Sequence, residues 1–163
     1  MEKTIYFAGG CFWGVSEYFS RLKGVNSVEC GYANGNTAFP TYQEVKSQKT
    51  GHAETVKIDY DDQIISLDKL IEHFLRFVDP YSLNKQGEDE GIQYRSGIYY
   101  QNKEDKEIII ESINRRIGSN HVIEITPLRN YYKAEEYHQD YLKKNPQGYC
   151  HVNLNVIRDD EKK

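Results

Sequence analysis

One cysteine of the chain stands where its thiol could be made reactive. Cys11 follows two glycines, Gly9 and Gly10, and precedes the aromatic residues Phe12 and Trp13. The glycines allow a sharp turn and a close approach of substrate to the backbone. A thiol at the start of a helix meets unpaired N–H groups and the positive end of the helix dipole, both of which favour the nucleophilic thiolate. The position therefore predicts sulfur chemistry, with the pKa of Cys11 below the free-thiol value of about 8.5.

A buried structural cysteine is the competing interpretation, because free cysteines are often core residues. The aromatic neighbours favour the reactive interpretation, since they could wall a small apolar pocket beside the sulfur. Trp13 falls outside the apolar stripe of the predicted helix and is the better candidate for that pocket. Phe12 lies on the stripe, where it could equally be a core residue.

The spacing of apolar residues predicts the elements that position Cys11. Alternating apolar residues mark five strands, at residues 4–8, 28–32, 54–60, 97–100 and 122–126. Helical spacing marks three helices, which begin after Cys11, Ser66 and Asn102, and a short tyrosine-rich helix follows near the end of the chain. The first six elements run strand, helix, strand, strand, helix, strand, which is the ferredoxin-like or split βαβ order. We therefore predict an α+β fold with a ferredoxin-like two-layer core and a C-terminal extension.

Length, charge and cysteine content limit the classes of function. A chain of 163 residues fits one domain, which we place at residues 1–157, with a charged, disordered tail at 158–163. The net charge of −4 and the lack of basic runs argue against nucleic acid or an anionic membrane as a partner. No stretch approaches the roughly 20 apolar residues of a membrane span, and the first residues do not form a signal peptide. Three cysteines without a paired framework predict a reducing compartment, the cytoplasm, and we expect a monomer.

Metal or nucleotide chemistry is poorly supported by the motifs present. The chain has no Cys-x-x-Cys and no histidine pair at i, i+4, and Cys150 and His151 are adjacent. The two glycines before Cys11 are too short a run for a phosphate-cradling loop, and no dinucleotide fingerprint is found. We therefore expect neither a metal site nor a bound cofactor.

Four short motifs stand in order along the chain. They are Gly-Cys-Phe-Trp at 10–13, Thr-Gly-His-Ala-Glu-Thr-Val at 50–56 with Pro-Thr-Tyr at 40–42, the runs 79–87 and 91–96, and Tyr-His-Gln-Asp-Tyr-Leu at 137–142 with Gly-Tyr-Cys at 148–150. This series resembles the A-type peptide methionine sulfoxide reductases. The resemblance implies the same α+β core and reduction of the S epimer of methionine sulfoxide, free or in oxidised proteins. It also implies thioredoxin or a small dithiol as the external reductant.

The resemblance assigns catalytic roles to four residues. It makes Cys11 the nucleophile and Glu54 the acid that protonates the departing oxygen, with hydrogen bonds from Tyr42 and Tyr94 assisting. The pattern supports this independently, because Glu54 begins a predicted strand on its apolar face, where desolvation and a nearby thiolate would raise the carboxyl pKa. The alternatives are a solvated carboxylate at a strand end and two ordinary amphipathic tyrosines.

Further roles follow from the same motifs. Asp89 matches a position that helps to hold the site and the resolving step, although it could be a simple loop acid beside two glutamates. Cys150, in a segment typical of a flexible loop, suits a resolving thiol that reduces a sulfenic acid. Cys30 lies on the apolar face of a strand, where a core residue is expected. Phe12 and Trp13 are assigned to substrate binding.

Two other functions would use some of these features. A thiol peroxidase also passes through a sulfenic acid, but aromatic neighbours suit a methyl group better than a peroxide, and no arginine follows the thiol closely. A non-catalytic binding module on the same scaffold would not need Cys11, Glu54 and Cys150 together. Reduction of methyl aryl sulfoxide enantiomers with dithiothreitol separates these functions, because only a sulfoxide reductase acts on them.

Overall fold

The computed structural model describes residues 1–163 as a mixed α+β fold built on one six-stranded sheet. Eight strands are present, and they are β1 (Glu2–Gly9), β2 (Val25–Ala33), β3 (Ala53–Asp61), β4 (Lys85–Gln86), β5 (Asp89–Glu90), β6 (Ser96–Tyr100), β7 (Glu124–Pro127) and β8 (Tyr131–Lys133). The large sheet has the order β7-β6-β1-β3-β2-β8, and β4 and β5 form a separate small hairpin. All pairs are antiparallel except β6 and β7. The predicted α+β class is confirmed.

Five helices accompany the strands. They are α1 (Phe12–Ser20), α2 (Tyr42–Lys46), α3 (Leu67–Phe77), α4 (Lys103–Ile117) and α5 (Tyr141–Lys144). The two predicted helix caps are formed: Ser66 Oγ accepts the backbone N–H of Lys69, and Asn102 Oδ1 accepts that of Asp105. Each cap satisfies a donor that the first helical turn would otherwise leave unpaired. None of the helices is long and apolar enough to cross a membrane.

The main core joins the sheet to the helices around the start of α1. It comprises 27 buried residues. Within it the ring of Phe7, near the end of β1, lies 5.1 Å from the rings of both Phe19 on α1 and Phe74 on α3. Aromatic pairs at such distances stabilise by about 0.5–1.5 kcal/mol beyond their buried area. The packing therefore fixes the end of β1 against α1, and with it the turn that carries Cys11.

Strand β8 and the β4–β5 hairpin lie where the apolar pattern predicted no strand. Strand β8 pairs with β2 because Gly31 leaves room for the ring of Tyr131, whose hydroxyl donates to the carboxylate of Glu29 at 2.8 Å. A Cβ at Gly31 would lie 2.3 Å from that ring. The hairpin consists of two residues in each strand, which is too short for any alternation to show.

The charge of the final six residues predicted a disordered tail, and two of these residues, Glu161 and Lys163, contact the folded domain. Glu161 accepts hydrogen bonds from Arg76 on α3 at 2.7 and 2.9 Å, and Lys69 lies 3.1 Å away. The Arg76 guanidinium holds the pKa of Glu161 well below its usual range. The backbone N–H of Lys163 donates to the Arg21 carbonyl at 3.0 Å. The positive charges of Arg76 and Lys69 on α3 bind this segment, and the local sequence around Glu161 does not predict these partners.

Candidate active site

Cys11 lies at the junction between β1 and α1, where it is the N-cap residue of the helix. Gly10 adopts a φ of +92°, a region that favours glycine. A Cβ at Gly10 would lie 2.7 Å from the Cβ of Gln86 and 2.9 Å from Nε2 of His151. Both the backbone conformation and the available space therefore require glycine beside Cys11. The predicted position of the thiol at a helix start is confirmed.

The thiol of Cys11 is not activated by its position alone. Its residue is 8% exposed, and burial raises the pKa of Cys11 well above its ordinary value. The charge of Glu54 raises this pKa further, while the backbone N–H of Trp13 acts in the opposite direction. Desolvation therefore acts against the lowered pKa that the position at the helix N-terminus predicted. A thiolate at Cys11 needs a protonated Glu54 beside it.

Glu54 lies on β3 opposite Tyr32 of β2 and is 1% exposed. Its Oε1 accepts the backbone N–H of Phe12 at 3.2 Å, and its Oε2 is buried without a hydrogen-bond partner. Burial raises the pKa of Glu54 to about 8, against the effect of the Phe12 N–H. The carboxyl group is consequently protonated at neutral pH. The predicted desolvation of Glu54 is confirmed.

Tyr42 and Tyr94 place two hydroxyl groups near the same carboxyl. Tyr42 begins α2, whose N-cap Thr41 forms a capping box with Glu44, and its backbone N–H donates to Glu135 at 2.8 Å. Burial raises the pKa of Tyr42 to about 12, the Glu54 charge adds to this, and a hydrogen bond from Tyr94 opposes it. Burial also raises the pKa of Tyr94, with the Glu54 charge as the next cause. Both hydroxyls therefore remain protonated donors.

The rings of Phe12, Trp13, Tyr42, His138 and Tyr141 pack together beside Cys11 and form an aromatic wall. The sequence analysis assigned no role to His138, its central residue. The indole N–H of Trp13 donates to His138 Nδ1 at 3.0 Å, and the indole ring stacks on Tyr141 at 3.7 Å and 10°. The rings of Phe12 and Tyr42 lie 5.1 and 4.5 Å from that of His138. Trp13 is half-buried, in agreement with its predicted position outside the apolar stripe of α1. Phe12 is part of the hydrophobic core and also of the aromatic wall.

The state of His138 follows from its surroundings. The side chain is buried, and burial lowers its pKa, so the imidazole is neutral at pH 7. Because Nδ1 accepts from Trp13, the proton is on Nε2, which is buried and has no partner. The only sequence signal for this residue was its place inside the Tyr-His-Gln motif. A neutral N–H donor is thus held beside the aromatic wall.

Asp89 lies on β5 close to the same site. Burial raises its pKa, while His151 and a hydrogen bond from Tyr149 act against this. Its Oδ2 lies 3.9 Å from His151 Nδ1, and both atoms are buried without partners. Its charge is also one of the causes that raise the pKa of Cys11. The structure thus places Asp89 with the site rather than in an open loop.

The second candidate thiol, Cys150, lies against the first turn of α1. Its Sγ donates to the Val152 carbonyl at 3.2 Å, and a Cβ at Gly14 would lie 2.9 Å from the sulfur. The residue is partly exposed, and all three cysteines are reduced. Gly14 is three residues beyond Cys11 on the same helix. The fold therefore brings the distant Cys150 within one helical turn of Cys11.

Cys30 also lies beneath this helix, but in a different environment. It is fully buried on β2, its Sγ is 3.7 Å from the Phe12 carbonyl, and burial raises its pKa to about 12. These features fit the core role expected for Cys30. His52 is likewise structural, because its Nε2 donates to the Thr37 carbonyl at 2.8 Å in the loop before α2.

Neither Cys11 nor Glu54 lines any of the surface cavities of the protein. The largest surface cavity, about 700 Å³, lies elsewhere, between β6, α4 and the end of β7, and Tyr100, Lys103 and Leu128 are among its lining residues. No group of three or more histidine, cysteine or acidic side chains is arranged to hold a metal ion. The site brings together one sulfur, one buried carboxyl with a raised pKa and several neutral hydrogen-bond donors.

Comparisons with known proteins agree with the motifs. A family model described as peptide methionine sulfoxide reductase matches residues 3–163. The peptide methionine sulfoxide reductase MsrA of Lachnoclostridium phytofermentans is 54% identical over 155 residues, 93% of each chain. The reduced form of Mxr1 from Saccharomyces cerevisiae has a TM-score of 0.81 and 36% identity, over 97% of this chain and 93% of that one. A structure of Mxr1 in complex with Trx2 has a TM-score of 0.56 and 25% identity, over 86% and 84%.

Proposed function

Because the chain belongs to the peptide methionine sulfoxide reductase family, whose model matches nearly its full length, we propose that it reduces methionine sulfoxide, free or in oxidised proteins, to methionine. The observation that carries the proposal is the state of Glu54. Its carboxyl is buried, protonated at neutral pH and has one oxygen without a partner. A sulfoxide oxygen that leaves sulfur needs such an acid.

The first step begins with attack by the sulfur of Cys11 on the sulfoxide sulfur. Glu54 delivers a proton to the sulfoxide oxygen, and the thiol proton of Cys11 replaces the one that Glu54 has lost. The S–S bond that forms in the attack breaks again, the S–O bond to the methionine sulfur breaks, and an S–O bond to Cys11 forms. The methionine sulfur is thereby reduced, and Cys11 is oxidised to a sulfenic acid. No proton is taken up from solvent overall. The step therefore works although the pKa of Cys11 is high, because its proton has an acceptor within the site.

The two tyrosines stabilise the oxygen as charge develops on it. Tyr42 and Tyr94 keep their protons because burial raises both pKa values. Neutral O–H groups in a buried site are strong fixed donors, and removing one donor of this kind from an oxyanion site costs about 10²–10³ in rate. The hydroxyls thus hold the sulfoxide oxygen near the carboxyl of Glu54.

The aromatic wall recognises the substrate methyl group. The Trp13 indole is held in place on both sides, by the hydrogen bond to His138 and by the stack on Tyr141. A rigid apolar surface at this point fits the methyl group, while the hydroxyls of Tyr42 and Tyr94 bind the oxygen. Separate contacts for the oxygen and the methyl group support selectivity for one epimer, and the resemblance to the family makes this the S epimer.

Cys150 regenerates the enzyme. Its contact with the first turn of α1 supports attack on the sulfenic acid of Cys11, after which thioredoxin reduces the resulting disulfide. The Mxr1 structure in complex with Trx2 supports a thioredoxin as the reductant. The burial of Cys30 disfavours it as the resolving thiol, because attack requires a thiolate and access.

The function is tested with the separate enantiomers of a methyl aryl sulfoxide and dithiothreitol. The expected result is reduction of the S enantiomer alone, with no activity in Cys11→Ser. The matched control is Cys30→Ser, which removes a buried thiol and should keep the activity. A thiol peroxidase or a binding module would reduce neither enantiomer, and that result would refute the proposal.

Three further assignments belong to this proposal. The neighbours β6-β1-β3-β2, all antiparallel, support a ferredoxin-like classification of the central strands. The reaction as written needs no prosthetic group. A cytoplasmic location and a monomeric state remain predictions, checked by fractionation and by sedimentation velocity.

A further inference from the structure

His151, which follows Cys150, makes a long-range contact that the proposed reaction does not use. Its Nε2 donates to the carbonyl of Gly9 at 2.8 Å, between residues that are far apart in the sequence. The side chain is only 3% exposed. A buried carbonyl of this kind is costly to leave unpaired. The contact therefore ties the C-terminal segment directly to the turn that carries Cys11.

The space for the imidazole ring is created by glycines. A Cβ at Gly10 would lie 2.9 Å from Nε2 of His151, and a Cβ at Gly87 would lie 3.2 Å from its Cβ. Gly10 and Gly87 both have positive φ values, +92° and +60°. Two separate loops therefore provide a close-fitting recess for the His151 side chain.

The tautomer of His151 is determined by its neighbours. Since Nε2 donates to Gly9, the neutral ring has no proton on Nδ1, which faces Asp89 at 3.9 Å. Burial lowers the pKa of His151, with the Gly9 carbonyl and the charge of Asp89 acting against this. Of the two tautomers of the neutral ring, only the one with its proton on Nε2 keeps the contact with Gly9.

Cys150 and His151 contact the chain on both sides of Cys11. Cys150 packs on Gly14, three residues after Cys11, and His151 bonds to Gly9, two residues before it. Adjacent residues of one segment therefore span the turn on which Cys11 stands. Loss of the His151 contact would leave the segment attached on one side only.

We propose that His151 is a positioning residue for the resolving step, holding the segment of Cys150 against the turn of Cys11. The inference rests on the proposed role of Cys150. In that step the sulfur of Cys150 attacks the sulfenic acid sulfur of Cys11, and an S–S bond forms as the Cys11 S–O bond breaks. The oxygen leaves as water with the thiol proton of Cys150, whose sulfur is oxidised while that of Cys11 is reduced.

The test follows the two steps separately after one equivalent of methyl aryl sulfoxide is mixed with reduced protein. In His151→Leu, which removes the donor at similar volume, the release of sulfide should keep its rate, while disulfide formation slows about tenfold, the effect of roughly one hydrogen bond. Dimedone should then trap Cys11 as the sulfenic acid. In His151→Gln the amide can replace Nε2 as donor to Gly9, and disulfide formation should return to near the original rate.

Disulfide formation at the original rate in His151→Leu would overturn the proposal, and so would an equal slowing of both steps. Absence of sulfide release in the unaltered protein would instead refute the proposed function, and the inference would fall with it. Nitrogen-15 NMR of the unaltered protein gives a measurement that needs no variant. It should show the Nε2–H tautomer for His151, and an Nδ1–H tautomer would exclude the contact with Gly9.

Discussion

Replacing Glu54 by glutamine separates the chemistry of its carboxyl group from its effect on stability. The pKa of Glu54 is about 8 in the folded protein, against an ordinary value of 4.5. Between these values the folded protein holds a proton at Glu54 that the unfolded chain has released. The free energy of unfolding therefore falls as the pH rises through this window, by about 1.4 kcal/mol per pH unit.

The magnitude at neutral pH follows from the width of that window. At pH 7 the buried carboxyl of Glu54 lowers the free energy of unfolding by about 3 kcal/mol relative to its value near pH 4.5. Glutamine is neutral at every pH, and its carbonyl can still accept the backbone N–H of Phe12. Glu54→Gln should therefore be up to about 3 kcal/mol more stable than the unaltered protein at pH 7, with little difference near pH 4.5.

The same substitution should nearly abolish the reaction. Glutamine cannot deliver a proton, so sulfide release in a single turnover at pH 7 should fall by about 10²–10⁴. In the unaltered protein this rate should decline above about pH 8 as Glu54 ionises, and the residual rate of Glu54→Gln should lack that decline. Urea titrations at the two pH values and rapid-quench measurements provide the data. A variant with full rate, or a stability difference independent of pH, would refute this reasoning.

Three more predictions concern the other site residues. Alkylation of Cys11 by iodoacetamide should show an apparent pKa above the free-thiol value of about 8.5, because burial raises it; a lower value would show that the helix N-terminus prevails. Cys150→Ser should release about one methionine per enzyme without reductant and lose turnover with thioredoxin, whereas normal turnover or a mapped Cys11–Cys30 disulfide would transfer the resolving role to Cys30. Trp13→Phe loses the donor to His138 and should raise KM for the sulfoxide more than it lowers kcat in steady-state assays; an unchanged KM would remove the indole from binding.

The sequence predicted those parts of the site that depend on local pattern. Alternation along β3 was sufficient to place Glu54 on a buried face, since side chains of a strand point to opposite sides of the sheet in turn. The turn of two glycines before an apolar helical stripe was sufficient to place Cys11 at a helix start. The motifs shared with known reductases then indicated which distant residues belong with them.

The remaining features depend on contacts between distant residues. The pKa of Cys11 was predicted from the local helix, whereas burial, followed by the charge of Glu54, raises it in the folded protein. The part that His138 plays in the site comes from its hydrogen bond to Trp13, and only its place in the Tyr-His-Gln motif marks it in the sequence. The ordering of Glu161 by Arg76 is of the same kind, because charge along the chain does not show where its partner lies.

The stack of Trp13 on Tyr141 gives the protein an internal optical reporter. Trp13 is the only tryptophan of the chain, so all indole emission arises within one turn of the nucleophile. Its stacking partner begins α5, the element that leads into the segment of Cys150. When Cys150 leaves Gly14 to form the disulfide with Cys11, the position of that segment changes. The stacked ring of Tyr141 transmits this change to the indole. Fluorescence intensity can therefore follow the redox cycle in real time, in the unlabelled protein and without a coupled assay.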